Sequence, residues 1–388
     1  MPRTNAHINP EMLVWSRNTV KLTVELAAEK IGVKTEKLEA WENGESFPTV
    51  KQLYKIANVY RRPFALFYFP KPPKHFKPLK DFRKFHHQYT LTENEEYILQ
   101  KELMLFQQKR EIALELYEQL DSEPPQFKLK GTVNQSPEEL AEKIIEYLGI
   151  NHNEVGDIKP GYDALNYWKK LLESKGILAF QTSGVPLHIM RGACVAKDVL
   201  PVIVINSNDT QNGRIFSLFH ELVHIVLRAD GISNFRYSDK DLYEQIEVYC
   251  NQVAAEVLVP SNYLLESLVV RSHDSRNPNW TADELRKLSN RFCVSREVIL
   301  RRLLTLEKTT NRFYQDYRNN QDYEDKKSSP GGDYYRNIIA KNGGLFLNLA
   351  LQGYYQDKLT ASSLSDFIKI KVSNLAKLEQ LLYAKVQY

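Results

Sequence analysis

Cysteine is scarce in this chain. Cys194, Cys250 and Cys293 are the three among 388 residues, an odd number set far apart. They exclude a disulfide framework and read as buried thiols in a reducing compartment. Long apolar runs are missing too. No stretch approaches the ~20 residues needed to span a bilayer, so no membrane segment is expected. Residues 1–5 lack the apolar core of a signal peptide, which leads to the expectation of a cytoplasmic protein. Excess charge is absent as well: 52 Lys and Arg against 48 Asp and Glu leave a net +4. A balance so even carries no argument for nucleic-acid binding by bulk electrostatics. Otherwise 43% hydrophobic and 26% charged residues are ordinary for globular protein. The length suits two or three domains.

What is present is a metal-binding pattern. His220-Glu221-Leu222-Val223-His224 reads H-E-x-x-H inside an apolar run, Ile215 to Phe219 before it and Ile225 to Leu227 after. Residues four apart share a helix face. Two imidazoles so placed can hold one Zn²⁺, with the carboxylate between them beside its water. A polarised water with a carboxylate base attacks carbonyls. Two buried, hydrogen-bonded core histidines are the bland alternative.

Catalytic zinc wants three protein ligands and one open position. Some 23 residues past His224, a stretch with apolar Ile246, Cys250, Val253, Ala254 and Val257 at helical spacing runs to Pro260. Glu247 on it is the leading third ligand, with Glu244 and Glu256 as competitors. Asn251, one turn on, can orient a ligand from behind.

These residues resemble the ImmA/IrrE-type zinc metallopeptidases. Three blocks recur in order: Pro201 to Asn206; Arg214 to His224; and Glu247, Asn251, Ala254, Ala255, Glu256, Leu258 and Pro260. The likeness covers roughly residues 160–310. Val223 stands where the family usually has Gly, and Val253 where it usually has Phe. The resemblance implies a gluzincin-like metalloendopeptidase whose substrate is a protein, such as a repressor or an antitoxin.

Residues 11–60 read as four or five short helices. Thr23 caps the stretch to Ile31, with Leu26, Ala27 and Ile31 inward. Gly32 supplies a positive-φ turn. Thr35 opens the next helix, with Leu38 and Trp41 inward and Gly44 as its stop. Thr49 caps a further helix carrying Leu53, Ile56 and Ala57. Leu26-Ala27, Ile31-Gly32-Val33, Leu38, Trp41 to Gly44, Pro48, Leu53 and Ile56-Ala57 together resemble the lambda-repressor/Cro-like (XRE) helix-turn-helix. That resemblance implies that the helix after Gly32 enters the DNA major groove. Lys34, Thr35 and Lys37 are its candidate DNA contacts, beside Glu36 and Glu39. Over residues 1–62, ten basic residues face seven acidic ones, a modest excess, so a helical module that binds protein, or one that has lost DNA binding, is the alternative.

A Pro-basic stretch from Pro70 to Pro78 cannot be helix. His86 and His87 are adjacent, so on a helix they point about 100° apart and cannot face one metal. Residues 93–120 read as one long helix, a spacer, a dimer helix or a packing element, and 137–148 as another. Residues 162–174 read as helix, and 176–181, 187–195 and 199–206 as strands of a small sheet whose edge could take a substrate segment as an added strand. His188, in a strand, could reach the cleft as an oxyanion donor but reads first as a satisfied structural histidine; Tyr237 and Tyr243 are equally open as donors. Residues 283–304 look like a second helix-turn-helix, with Ser295 as cap and its arginines read as packing plus a solvated face, DNA contact being the alternative. Residues 319–332 read as linker, and 338–382 as two or three helices.

The expected fold class is mainly α with a small β-sheet (α+β). It comprises a helix-turn-helix domain at 1–70, a helical connector at 71–160, a zincin-like metallopeptidase domain at 161–310, and a linker with a helical C-terminal region at 311–388. The expected function is a DNA-binding regulator fused to a zinc metalloendopeptidase. The site comprises Glu221 as base, His220, His224 and Glu247 as zinc ligands, and Asn251 behind them. Duplex DNA and a protein substrate are the expected partners, with a homodimer as an option. The alternatives are a metal-sensing regulator that does not cut, or a protein-interaction component of a toxin–antitoxin or phage-defence system.

Overall fold

Caps and turn residues set most element boundaries. The computed structural model describes residues 4–72, 91–227, 240–320 and 333–383. The segment of His86 and His87, Tyr237, the side chain of Tyr243, and most of the expected linker lie outside the described residues. The chain divides into two units, residues 1–109 with 184–190, and residues 110–183 with 191–388.

The first unit holds α1 (Pro10–Thr19), α2 (Val24–Ile31), α3 (Thr35–Glu42) and α4 (Val50–Tyr60), with the first part of α5 (Glu93–Gln119). Thr23 accepts from the Leu26 N–H and caps α2. Gly32 then turns at φ 79°, a conformation that a Cβ disfavours. Thr49 and Gln52 form a reciprocal capping box on α4. The core comprises Ala27, Ile31, Leu38, Trp41, Leu53 and Ile56 among others, and Tyr97 and Met104 of α5 join it. Leu26, expected inward, is only partly buried against that core. The α2–Gly32–α3 arrangement is a helix-turn-helix.

The second unit is built on α6 (Pro137–Leu148), α7 (His152–Asp157), α8 (Tyr162–Ser174), β1 (Leu178–Thr182), β2 (Gly192–Val195), β3 (Val202–Asn206), α9 (Gln211–Leu227) and α10 (Lys240–Leu258). The sheet order is β1-β3-β2. β1 pairs parallel to β3, Leu178 opposite Val202, and β2 pairs antiparallel, Gly192 opposite Ile205. β1 and β3 are buried along their whole length, as parallel strands covered by helices should be. α9 packs on β2, β3, α8 and α10. Phe219 meets Trp168 of α8 edge-on at 4.9 Å, a favoured aromatic geometry. Val223 and Val253, the two departures from the resembled pattern, are both fully buried in this core. α6 also packs on α10, so residues expected in a connector contribute to the same core.

The remaining elements are α11 (Ser261–Glu266), α12 (Leu268–Ser272), α13 (Ala282–Phe292), α14 (Arg296–Thr305), α15 (Asn311–Asn319), α16 (Tyr334–Asn342), α17 (Gly344–Tyr355), α18 (Ala361–Ile368) and α19 (Leu375–Tyr383). Ser295 caps α14 as expected. Of its arginines, Arg302 serves packing, while Arg296 and Arg301 are exposed. Arg302 is buried, pairs with Glu256 and donates to the Val259 carbonyl, while Arg301 donates to the Tyr314 hydroxyl at 2.8 Å. Described residues 333–383 form four α-helices, α16 to α19, where two or three were expected over 338–382. α16 and α17 pack on β1. Gly343 (φ 71°) approaches so closely that a Cβ there would stand 2.7 Å from the Ala179 carbonyl oxygen. Glu173 of α8 accepts from the Gly344 N–H at 2.8 Å, a carboxylate at a helix N-terminus. Burial pushes the Glu173 carboxyl up, opposed by Lys169 and by the N–H groups of Gly344 and Leu345.

Among the described residues the chain is thus mainly α with one three-stranded sheet. Among the described residues, no helix is long and apolar enough to cross a membrane.

Candidate metal centre

α9 is apolar around most of its circumference, so it is held on all sides by the core. His220 and His224 break that pattern, with side chains 15% and 20% exposed. They are one turn apart, and their rings meet edge-on with centroids 4.8 Å apart. α10 lies alongside and brings Glu247 to them. His220 Nε2 is 3.2 Å from one carboxylate oxygen of Glu247, and His224 Nε2 is 3.2 Å from the other. The two Nε2 atoms are 3.1 Å apart. Ligand atoms of His220, His224 and Glu247 all lie within 4.8 Å of one another, the one such metal-capable group among the described residues.

The donor set fits a zinc ion. Bonds of about 2.0–2.1 Å at tetrahedral angles separate neighbouring ligand atoms by roughly 3.3 Å, close to the spacing found. The His220 tautomer agrees. Asn251 Oδ1 lies 3.0 Å from His220 Nδ1. An amide oxygen only accepts, so Nδ1 carries the proton and Nε2 presents its lone pair to the centre. Cys250 Sγ lies 3.7 Å from His224 Nδ1. Burial works to raise the Glu247 carboxyl, but the imidazoles of His220 and His224 beside it hold it well below the ordinary carboxylate range. The Cys250 thiol is pushed well up by burial, and further by Glu247 and Glu221.

Glu221 is buried at 6% exposure. Its side chain lies against β2: a Cβ on Gly192 would stand 2.8 Å from Glu221 Oε1 and 2.9 Å from its Cγ. Gly192 therefore leaves the space that the carboxylate occupies. β2 is an edge strand among the described residues, its pairing there being with β3.

The competing acids are placed elsewhere. Glu256 accepts from the Ser261 N–H at 2.9 Å and from its hydroxyl, and it pairs with Arg302. Glu244 is exposed on α10 and is not part of the cluster. His188 corrects the sequence reading. It precedes β2 rather than lying in a strand, because the chain turns after Pro186, whose carbonyl accepts from the N–H groups of Ile189 and Met190. Its Nε2 lies 3.1 Å from Glu95 Oε1 within the first unit. Sequence reasoning read Cys250 as a buried thiol; it follows Glu247 by three residues and so shares its face, but its contact with His224 was not read. Gly192 gave no signal, since its neighbour Glu221 is remote in sequence.

In the helix-turn-helix unit, Lys34 and Lys37 are exposed and Thr35 is half-buried. Lys37 Nζ lies 5.7 Å from the centroid of the Trp41 ring. Glu36 and Glu39 are exposed on the same helix.

No curated protein matches the chain. Residues 15–67 match the family model described as helix-turn-helix. Residues 178–304, which hold β1 to β3, the H-E-x-x-H helix, α10 and α14, match the model of the IrrE N-terminal-like domain, a peptidase family. The chain therefore joins a helix-turn-helix domain of XRE type to an IrrE/ImmA-like peptidase-family domain.

Proposed function

We propose that this protein is a DNA-binding regulator fused to a zinc-dependent metalloendopeptidase that cleaves a protein partner, such as a repressor or an antitoxin. The observation that carries this reading is the convergence of His220 Nε2, His224 Nε2 and Glu247, with buried Glu221 on the same helix as the two histidines. His220, His224 and Glu247 hold the metal, and Asn251 fixes the His220 ring. A bound zinc ion supplies a Lewis acid and makes water a competent nucleophile near neutral pH. Glu221 takes the proton from the attacking water at its carboxylate and passes it to the leaving amine nitrogen. β2 offers main-chain groups to an extended substrate, which would add as a further strand. The test is incubation of the metal-loaded protein with candidate protein partners, reading cleavage by mass spectrometry.

Gly192 tests the placement of the base. Gly192→Ala forces a methyl into the volume of the Glu221 carboxylate. Metal content is expected to stay at the wild-type level, because no ligand is touched. Cleavage is expected to fall about 100-fold, the scale for a group displaced by 1 Å. Wild-type turnover in Gly192→Ala would show that Glu221 need not sit where it does.

Lys34, Thr35 and Lys37 are proposed to contact duplex DNA. DNA affinity of the full chain is expected to fall steeply with salt, since phosphate contacts release counterions. Lys34→Ala and Lys37→Ala should each lower the salt slope by about 1 where the lysine meets a phosphate. Filter binding or fluorescence anisotropy across a salt series reads this. Absence of DNA binding at low salt would leave the domain as a protein-docking module.

A further inference from the structure

The two zinc-facing histidines are held from behind by different chemistry, although both holders come from α10. His220 Nδ1 meets the amide oxygen of Asn251 at 3.0 Å. His224 Nδ1 meets Cys250 Sγ at 3.7 Å, within hydrogen-bond range for sulfur. Cys250 is completely buried, so the thiol is a fixed wall rather than a mobile surface group. For His224 Nε2 to present a lone pair to the metal, the ring proton must sit on Nδ1, the side that faces the sulfur. Partners behind a ligating histidine commonly set its tautomer and orientation.

We infer that Cys250 is a positioning residue, whose sulfur accepts the Nδ1 proton of His224 and so holds that ring for metal binding. The inference rests on the metal site proposed above and deepens it. Sulfur is a weak acceptor, so this side of the site is the softer of the two. The cysteine acts through His224 and is not itself a ligand.

The role separates from simple packing by two substitutions with opposite consequences. Cys250→Val keeps an apolar volume and removes the acceptor. Cys250→Ser keeps an acceptor and puts a hydroxyl into an apolar core. Zinc affinity is measured on the full-length proteins by competition with a chromophoric chelator, and melting of the metal-free forms is recorded alongside. Valine is expected to weaken zinc binding ~10–100-fold, the range for loss of an outer partner. Serine keeps an outer partner and is expected to bind zinc as tightly as wild type, even where its metal-free form melts lower. The deciding quantity is the ratio of the two dissociation constants. A valine-to-serine ratio of about ten or more supports the role. A smaller ratio overturns it and leaves Cys250 as packing. Should valine fail to fold, Cys250→Ala takes its place in the ratio. Failure of the wild type itself to bind zinc would instead overturn the metal-site reading on which this inference stands.

Discussion

Glu221→Gln is expected to keep its metal and its fold while losing peptide cleavage by ~10²–10⁴-fold, the usual contribution of a general base. The amide is nearly isosteric with the carboxylate, so the wedge between α9 and β2 is preserved. Gln still offers an oxygen and an NH₂ group for hydrogen bonds, but it cannot take a proton from water. Glu221 is not part of the His220–His224–Glu247 cluster, so metal content should not move. The readout is a time course of partner cleavage, wild type against variant, with metal content measured on the same samples. Co-expression with the products of neighbouring genes supplies partners, because such a cleft need not accept generic peptides. Equal cleavage by both forms would remove Glu221 from the chemistry. If neither form cuts any partner while zinc removal still changes DNA binding, the metal is regulatory.

The second large effect concerns the ligands. The purified wild type is expected to carry about one zinc per chain, and His220→Ala or Glu247→Ala to carry almost none. Two remaining donors cannot complete a three-ligand site. Binding to the folded form alone stabilises it, by about 4 kcal/mol when free zinc is a thousandfold above Kd. Added zinc should therefore raise the melting temperature of the wild type and leave both variants unmoved. Glu247 is the sharper case, since the sequence left Glu244 and Glu256 as competitors. Glu256 is committed to Arg302 and Ser261, and Glu244 is exposed. Retained metal in Glu247→Ala would contradict its assignment.

The local signals in the sequence were strong where a cap or a stop residue marked an element. Ser136, Glu139 and Gly149 bracket α6, whose observed bounds match the expected ones. Pro260 closes the helix that carries Glu247. The H-E-x-x-H spacing alone places two imidazoles on one face, since that geometry is internal to a single helix. What could not be read depends on distant contacts. The run from Leu187 looked like a strand because it is apolar, yet it leaves the sheet and only Gly192–Val195 pairs. The function of Gly343 and Gly344 was opaque because their partner is Glu173, 171 residues away from Gly344. Gly192 and Glu221 meet only once the sheet has packed on α9. Cys250 was read as a buried thiol, and its contact with His224 requires the two metal helices to be side by side.

The central claim is that His220, His224 and Glu247 hold one metal ion and leave a coordination position open. X-ray absorption spectroscopy at the zinc edge of the loaded full-length protein tests it most directly. The account predicts a first shell of nitrogen and oxygen alone at about 2.0–2.1 Å, with outer scattering from two imidazoles. A sulfur contribution near 2.3 Å, the zinc–thiolate distance, would contradict it by making Cys250 a ligand, and so would a spectrum without imidazole scattering.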